Sequence, residues 1–347
     1  MRIFNQSEER GCLTIISDIP QKLEYCVNSP AKASFSDGTC DVLACMNCKN
    51  PSCMQFSKGE IDCIELASFP SDKNSNVCPV EAITWNAEKN IPEINADKCI
   101  CCGICLRRCP VGAIYYDGIM KVNTCYGSKQ SQMSLTKEVI KNHNEQIEQL
   151  DSVERLGVPI IENDDILTNI YQKLFRINHN LHNIIVRNLL IALGCNCSIR
   201  RIGDVYTRMD AFYSTKDDIH GAVEVEFGRE TLDASRAILD DIAVLYTRYN
   251  IPKDDNSPLV VCLQLPNARQ GYWQVVKDVK TVEDIVINTV TIGSLIILNW
   301  NGCQLSPNDF SYYLDYDNTN LRKSISQQIG RELNISNKLL GIFEPIK

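Results

Sequence analysis

Two sets of cysteines carry the most specific chemistry in this sequence of 347 residues and 18 cysteines. The tighter set is Cys99-x2-Cys102-x2-Cys105-x3-Cys109, closed by Pro110. The looser set is Cys45-x2-Cys48-x4-Cys53, followed after 24 residues by Cys78 and Pro79. Each Cys-Pro opens the same phrase: Cys78-Pro79-Val80-Glu81-Ala82-Ile83 returns as Cys109-Pro110-Val111-Gly112-Ala113-Ile114, 31 residues later. Three closely spaced thiolates can wrap one face of an iron–sulfur cubane on a single tight loop, and the fourth ligand must come from elsewhere. The proline ends the loop, because it has no N–H to continue a helix. Zinc knuckles need four thiolates in two Cys-x2-Cys pairs. They explain neither the three-thiolate runs nor the repeated phrase. A disulfide scaffold is disfavoured, since Met1 to Gly11 is charged and polar and does not read as a secretory signal.

A second constellation is acidic. Asp210 stands beside Ala211-Phe212, and Glu224 and Glu226 alternate in Ala222-Val223-Glu224-Val225-Glu226-Phe227. Strand alternation puts Glu224 and Glu226 on one face. Carboxylates on a strand otherwise built for burial are costly unless something pairs them. Three converging carboxylates suit a hard divalent ion such as Mg²⁺ or Mn²⁺, which also takes water and phosphate oxygens. The plainer alternative is that all three acids lie on the wet face of an antiparallel sheet. His179 and His182 could form a metal pair, but no third ligand is evident. No phosphate-binding Gly-x-x-x-x-Gly-Lys-Ser/Thr loop and no Gly-x-Gly-x-x-Gly fingerprint occurs.

The cysteine runs resemble the two-cluster bacterial ferredoxins over roughly residues 40 to 125. In that family the Cys-Pro cysteine of each half ligates the other half's cluster. The resemblance therefore implies two [4Fe-4S] clusters. One would take Cys45, Cys48, Cys53 and Cys109; the other would take Cys99, Cys102, Cys105 and Cys78. The first half departs from the family spacing, and Cys40 or Cys63 could stand in for Cys53. Cys101 reads as a neighbour of the ligands. Cys12, Cys26, Cys125, Cys195, Cys197, Cys262 and Cys303 read as small buried apolar residues or unpaired thiols.

The acids resemble the core of the PD-(D/E)XK, restriction-endonuclease-like nucleases over roughly residues 163 to 300. Asp210 matches the first acid, Glu224 the second, and Glu226 the position usually held by lysine. The resemblance implies an α-β-β-β-α-β frame in which Asp210 and Glu224 bind the metal. Glu226 would orient or deprotonate the attacking water, and Arg200, Arg201 and Arg229 would meet phosphate. It also implies a DNA substrate, a duplex by preference, a homodimer, and a role in defence against foreign DNA.

The elements that position these groups read as α+β and α/β in separate domains. We expect a ferredoxin-like domain over 1–126, a linker and helix over 127–160, and a restriction-endonuclease-like domain over 161–347. Leu13 to Ile16 and Tyr25 to Val27 are β-like, and Leu135 to Arg155 reads helical. Further on, helices are expected over Ile166 to Ile177, Leu181 to Leu193 and Glu230 to Tyr249. Strands are expected over Arg208 to Ser214, Gly221 to Phe227 and Leu259 to Leu265. Val290 to Trp300 reads as a buried strand, with Ser294 to Asn299 at its centre.

Bulk composition is ordinary for globular chains, with 44% hydrophobic and 22% charged residues. No apolar run approaches the ~18 residues of a membrane span. A net charge of −8 argues against a general nucleic-acid coat protein. Between Tyr171 and Arg208, however, Lys173, Arg176, Arg187, Arg200, Arg201 and Arg208 face a single acid, Asp204. Such a strip could dock a polyanion. A cytoplasmic, reducing setting is expected from the cluster cysteines. Two functions follow: a metal-dependent iron–sulfur nuclease, or an electron-transfer protein whose C-terminal domain docks a partner enzyme. A non-catalytic assembly factor is a third.

Overall fold

The computed structural model describes residues 2–7, 12–17, 33–35, 38–40, 53–61, 69–88, 91–108, 114–117, 121–124, 164–228, 231–307, 321–336 and 341–345. The chain divides into two units. The first comprises Met1–Phe56, Asn76–Ile161 and Asn169–Leu174; the second comprises Ser57–Ser75, Glu162–Thr168 and Phe175–Lys347. The expected linker, the Leu135 to Arg155 helix and the Tyr25 to Val27 strand lie outside the described residues.

The first unit is built from short antiparallel hairpins. These pair β1 (Arg2–Ser7) with β2 (Cys12–Ser17), β3 (Ala33–Phe35) with β4 (Gly38–Cys40), β5 (Ile83–Asn86) with β6 (Ile91–Ile94), and β7 (Ile114–Asp117) with β8 (Lys121–Thr124). A one-turn helix, α1 (Ile104–Arg108), follows the Cys99–Cys102 loop. β5 starts on Ile83 and β7 on Ile114, so both copies of the repeated Cys-Pro phrase run into a hairpin strand.

The second unit is a mixed sheet with helices. Its described elements begin with a single helical turn at Lys58–Ile61, followed by α2 (Asp164–Leu174), whose last residues belong to the first unit, and α3 (His182–Ala192). Strands β9 (Asn196–Ile199), β10 (Ala211–Ser214) and β11 (His220–Glu226) then form an antiparallel meander. Helix α4 (Leu232–Tyr249) crosses to β12 (Leu259–Cys262), which pairs parallel to β11. Helix α5 (Gly271–Glu283) crosses to β13 (Asn288–Thr291), parallel to β12. The spatial order is β13-β12-β11-β10-β9. From α3 to β12 the chain order is α-β-β-β-α-β.

Local chemistry explains these elements. Leu259-Val260-Val261-Cys262 is wholly buried, as a central parallel strand requires. Helix α4 turns Ile238, Ile242 and Leu245 inward at helical spacing, and Asn250 ends it in the left-handed conformation at φ 58°. The insertion between Cys53 and Cys78 lends residues to this unit. Asp72 N–H donates to the Ile199 carbonyl, and Arg201 N–H donates to that of Pro70.

One expectation is overturned. Ser294 to Asn299 is not a strand: β13 stops at Thr291, and α6 (Ile292–Asn301) begins. Thr291 and Ser294 close a capping box at its start, and Gly302 ends it at φ 68°. The helix is buried from Ile292 to Trp300. Its sequence therefore shows no polar face, and an apolar run of this length reads equally as strand or buried helix. The last described helix is α7 (Leu321–Ile329).

Candidate functional site

The Cys99 loop is shaped by two left-handed residues, Cys101 at φ 61° and Gly103 at φ 83°. A second left-handed turn, at Glu81 with φ 51°, follows Cys78, and in both turns a backbone N–H meets sulfur. Cys101 N–H donates to Cys99 Sγ at 3.4 Å, and Ala82 N–H donates to Cys78 Sγ at 3.2 Å. Cys78, Cys99, Cys102 and Cys105 line one small, partly open pocket, whose remaining wall is mostly Val, Ile and Ala. These are the four residues that the ferredoxin resemblance groups around one cluster. Cys53, of the other expected set, is buried and lies near enough to act on Cys105 electrostatically. Cys45, Cys48 and Cys109 lie outside the described residues.

Burial raises the pKa of Cys78, Cys102 and Cys105, and neighbouring thiols add to the rise. For Cys99 the larger cause of its raised value is the contact with Cys101, followed by burial. Several thiolates could not coexist here without a compensating cation. Soft sulfur donors in an apolar pocket, with N–H groups on the sulfurs, fit an iron–sulfur cluster. Such a group would supply one-electron redox chemistry.

The carboxylate site lies in the second unit. One register step beyond Ala211–Val223, Asp210 falls opposite Glu224; the same step beyond Ala211–Ile199 sets Arg200 opposite Asp210. The three thus form one cross-strand row. Asp210 accepts the Val225 N–H at 3.0 Å and the Asn183 amide at 2.8 Å, and Arg200 stands 3.5 Å from it. Burial outweighs these donors and raises the Asp210 pKa.

Helix α4 closes over β11 and brings a carboxylate that sequence reasoning missed. Asp241 is 1% exposed, and among the described residues no donor other than the Glu224 carboxyl reaches its oxygens. What it faces is the carboxyl of Glu224. Burial, then the charges of Asp210 and Asp241, hold Glu224 well above the ordinary carboxylate range. Burial raises Asp241 as well. Two facing carboxyls in a dry site must share a proton or a cation. In the sequence its one trace is that Asp241 interrupts the Ile238, Ile242, Leu245 stripe.

Glu226 sits further along β11, half-buried, and its Oε1 accepts the Gly228 N–H at 2.5 Å. Arg200 folds back along the chain, donating to the Thr207 and Arg208 carbonyls. Arg201 is exposed, and Arg229 lies outside the described residues. The basic strip is not one surface, because Arg187 is fully buried and Arg208 pairs with Asp240 at 3.2 Å. His182 stacks on Phe227 with ring centroids 4.4 Å apart. Among the described residues no three His, Cys, Asp or Glu side chains stand in metal-ligand geometry. Among those residues, too, no helix is long and apolar enough to cross a membrane.

Comparison with known proteins bears on the cysteine unit. A 55-residue stretch, 16% of the chain, is 36% identical to an uncharacterized ferredoxin of Methanocaldococcus jannaschii. The match spans 33% of that protein. Similarity and cysteine geometry together mark a ferredoxin-like iron–sulfur region. No family model matches the chain, and no solved structure matches it.

Proposed function

We propose that this chain is an iron–sulfur nuclease, with two [4Fe-4S] clusters in the first unit and a metal-dependent phosphodiesterase site in the second. The observation that carries the reading is the half-buried row of Asp210 and Glu224 met by the buried Asp241, set on an α-β-β-β-α-β frame. An electron carrier has no need of three acids forced together in a dry site. Bound Mg²⁺ or Mn²⁺ would activate water and neutralise charge on the scissile phosphate. Asp210 and Glu224 would hold it, with Asp241 as the third carboxylate. Asn183 and Arg200 orient Asp210. Glu226 remains the proposed base and Arg201 a phosphate contact. The proposed substrate is duplex DNA, cut by a homodimer in a reducing cytoplasm.

The test is anaerobic cleavage of plasmid, linear duplex and single-stranded DNA with Mg²⁺ or Mn²⁺, comparing wild type with Asp210→Ala and Glu224→Ala. Metal-dependent cutting lost in both variants supports the nuclease. The ferredoxin similarity favours a second reading, electron transfer to a docked partner enzyme. Reducible clusters with no cutting of any substrate would favour it.

A further inference from the structure

We propose that Lys173 sets the reduction potential of the cluster held by the Cys99–Cys105 loop, acting as a fixed cation against that loop. The inference rests on the iron–sulfur reading alone and is independent of the nuclease. Lys173 belongs to the same unit as the loop, although it comes from α2, more than 70 positions downstream. Its Nζ donates to the Cys99 carbonyl at 2.6 Å and lies 3.7 Å from Cys101 Sγ. Its charge acts on the Cys99 thiol. Among the described residues no carboxylate pairs with Lys173. Tyr171 and Leu174 are buried on either side of it in the chain and anchor the end of the helix.

The geometry of the loop amplifies the effect. The left-handed Cys101 directs its N–H to Cys99 sulfur, while the Cys99 carbonyl accepts from the lysine and, at 4.0 Å, from the Cys101 thiol. The ammonium therefore acts as a nearby charge and also polarises the Cys99–Ile100 peptide. A cluster that gains an electron gains negative charge. A cation held at this distance in a poorly solvated site favours the reduced form.

The experiment is an anaerobic potentiometric titration of the full chain, with iron and sulfide counted in each sample. The variants are Lys173→Gln, which keeps a hydrogen-bond donor without charge, Lys173→Met, and Lys173→Arg. We expect both uncharged variants to move one reduction step to a more negative potential. At a fixed poise its oxidised-to-reduced ratio should change at least threefold, about 28 mV at 59 mV per decade. Lys173→Arg should stay closer to wild type. A fully loaded Lys173→Gln with an unmoved potential would overturn the inference. So would loss of iron from both uncharged variants but not from Lys173→Arg, which would make the lysine structural. A wild-type chain without iron and sulfide would overturn the iron–sulfur reading as well.

Discussion

Replacing Glu224 by Gln should remove most of the pH sensitivity of the second unit. In the unfolded chain Glu224 titrates near 4.3. In the fold, burial and the facing Asp210 and Asp241 hold its proton well above that. Between those limits the native state binds more protons than the unfolded state, so stability is full at low pH and falls as pH rises. Each retained proton costs about 1.4 kcal/mol per pH unit. From pH 5.5 to 7.5 the wild type should lose about 2–3 kcal/mol from this group. Gln cannot ionise but can still donate to Asp241, so the variant should lose far less. Urea unfolding at several pH values reads this, in a Trp85→Phe background where the buried Trp273 and Trp300 report on the second unit. Parallel pH slopes for the two proteins would refute the argument that Glu224 holds a proton. Added Mg²⁺ should protect the wild type more at pH 7.5 than at 5.5, because the ion replaces that proton, and should protect Glu224→Gln little.

Three further outcomes are expected. Asp241→Asn should lower metal-dependent cleavage by about 100-fold or more, whereas equal activity in that variant and wild type would remove Asp241 from the site. Gly221→Ala should cost about 1–3 kcal/mol, since its Cβ would meet the Ser257 carbonyl oxygen 2.3 Å away; an unchanged melting temperature would count against this packing. Thr291→Ala should cost about 1–2 kcal/mol through loss of the α6 cap and of the bond to the Ile342 carbonyl, read by thermal unfolding.

Much of the second unit was legible because its elements are amphipathic or flanked by breakers. Helix α4 announces itself through Ile238, Ile242 and Leu245, and β12 through an unbroken apolar run. Helix α6 was not legible, because burial on every side erases the periodicity that separates helix from strand. The cysteine spacing carried chemistry directly, since ligand loops are local in sequence. Asp241 and Lys173 were harder. Each acts on a group many positions away, and only the tertiary fold brings a helix residue against a strand or a ligand loop. Arg187 misled for the reverse reason: charge in a sequence suggests a surface, yet this guanidinium is enclosed, with its Nε bonded to Asn188.

The loan of residues 57–75 has a consequence for how the protein can be dissected. The chain leaves the first unit after Phe56 and re-enters it at Asn76. No single cut then yields two self-sufficient halves. A fragment ending near residue 161 would carry Pro70 and Asp72 without β9 and Arg201, their backbone partners. The remaining fragment would keep the sheet but expose the unpaired edge of β9, a template for aggregation. The cysteine-bearing unit and the sheet are thus tied through chain connectivity. Cys53 and Cys78 stand on either side of that excursion, so a cut within it would separate them.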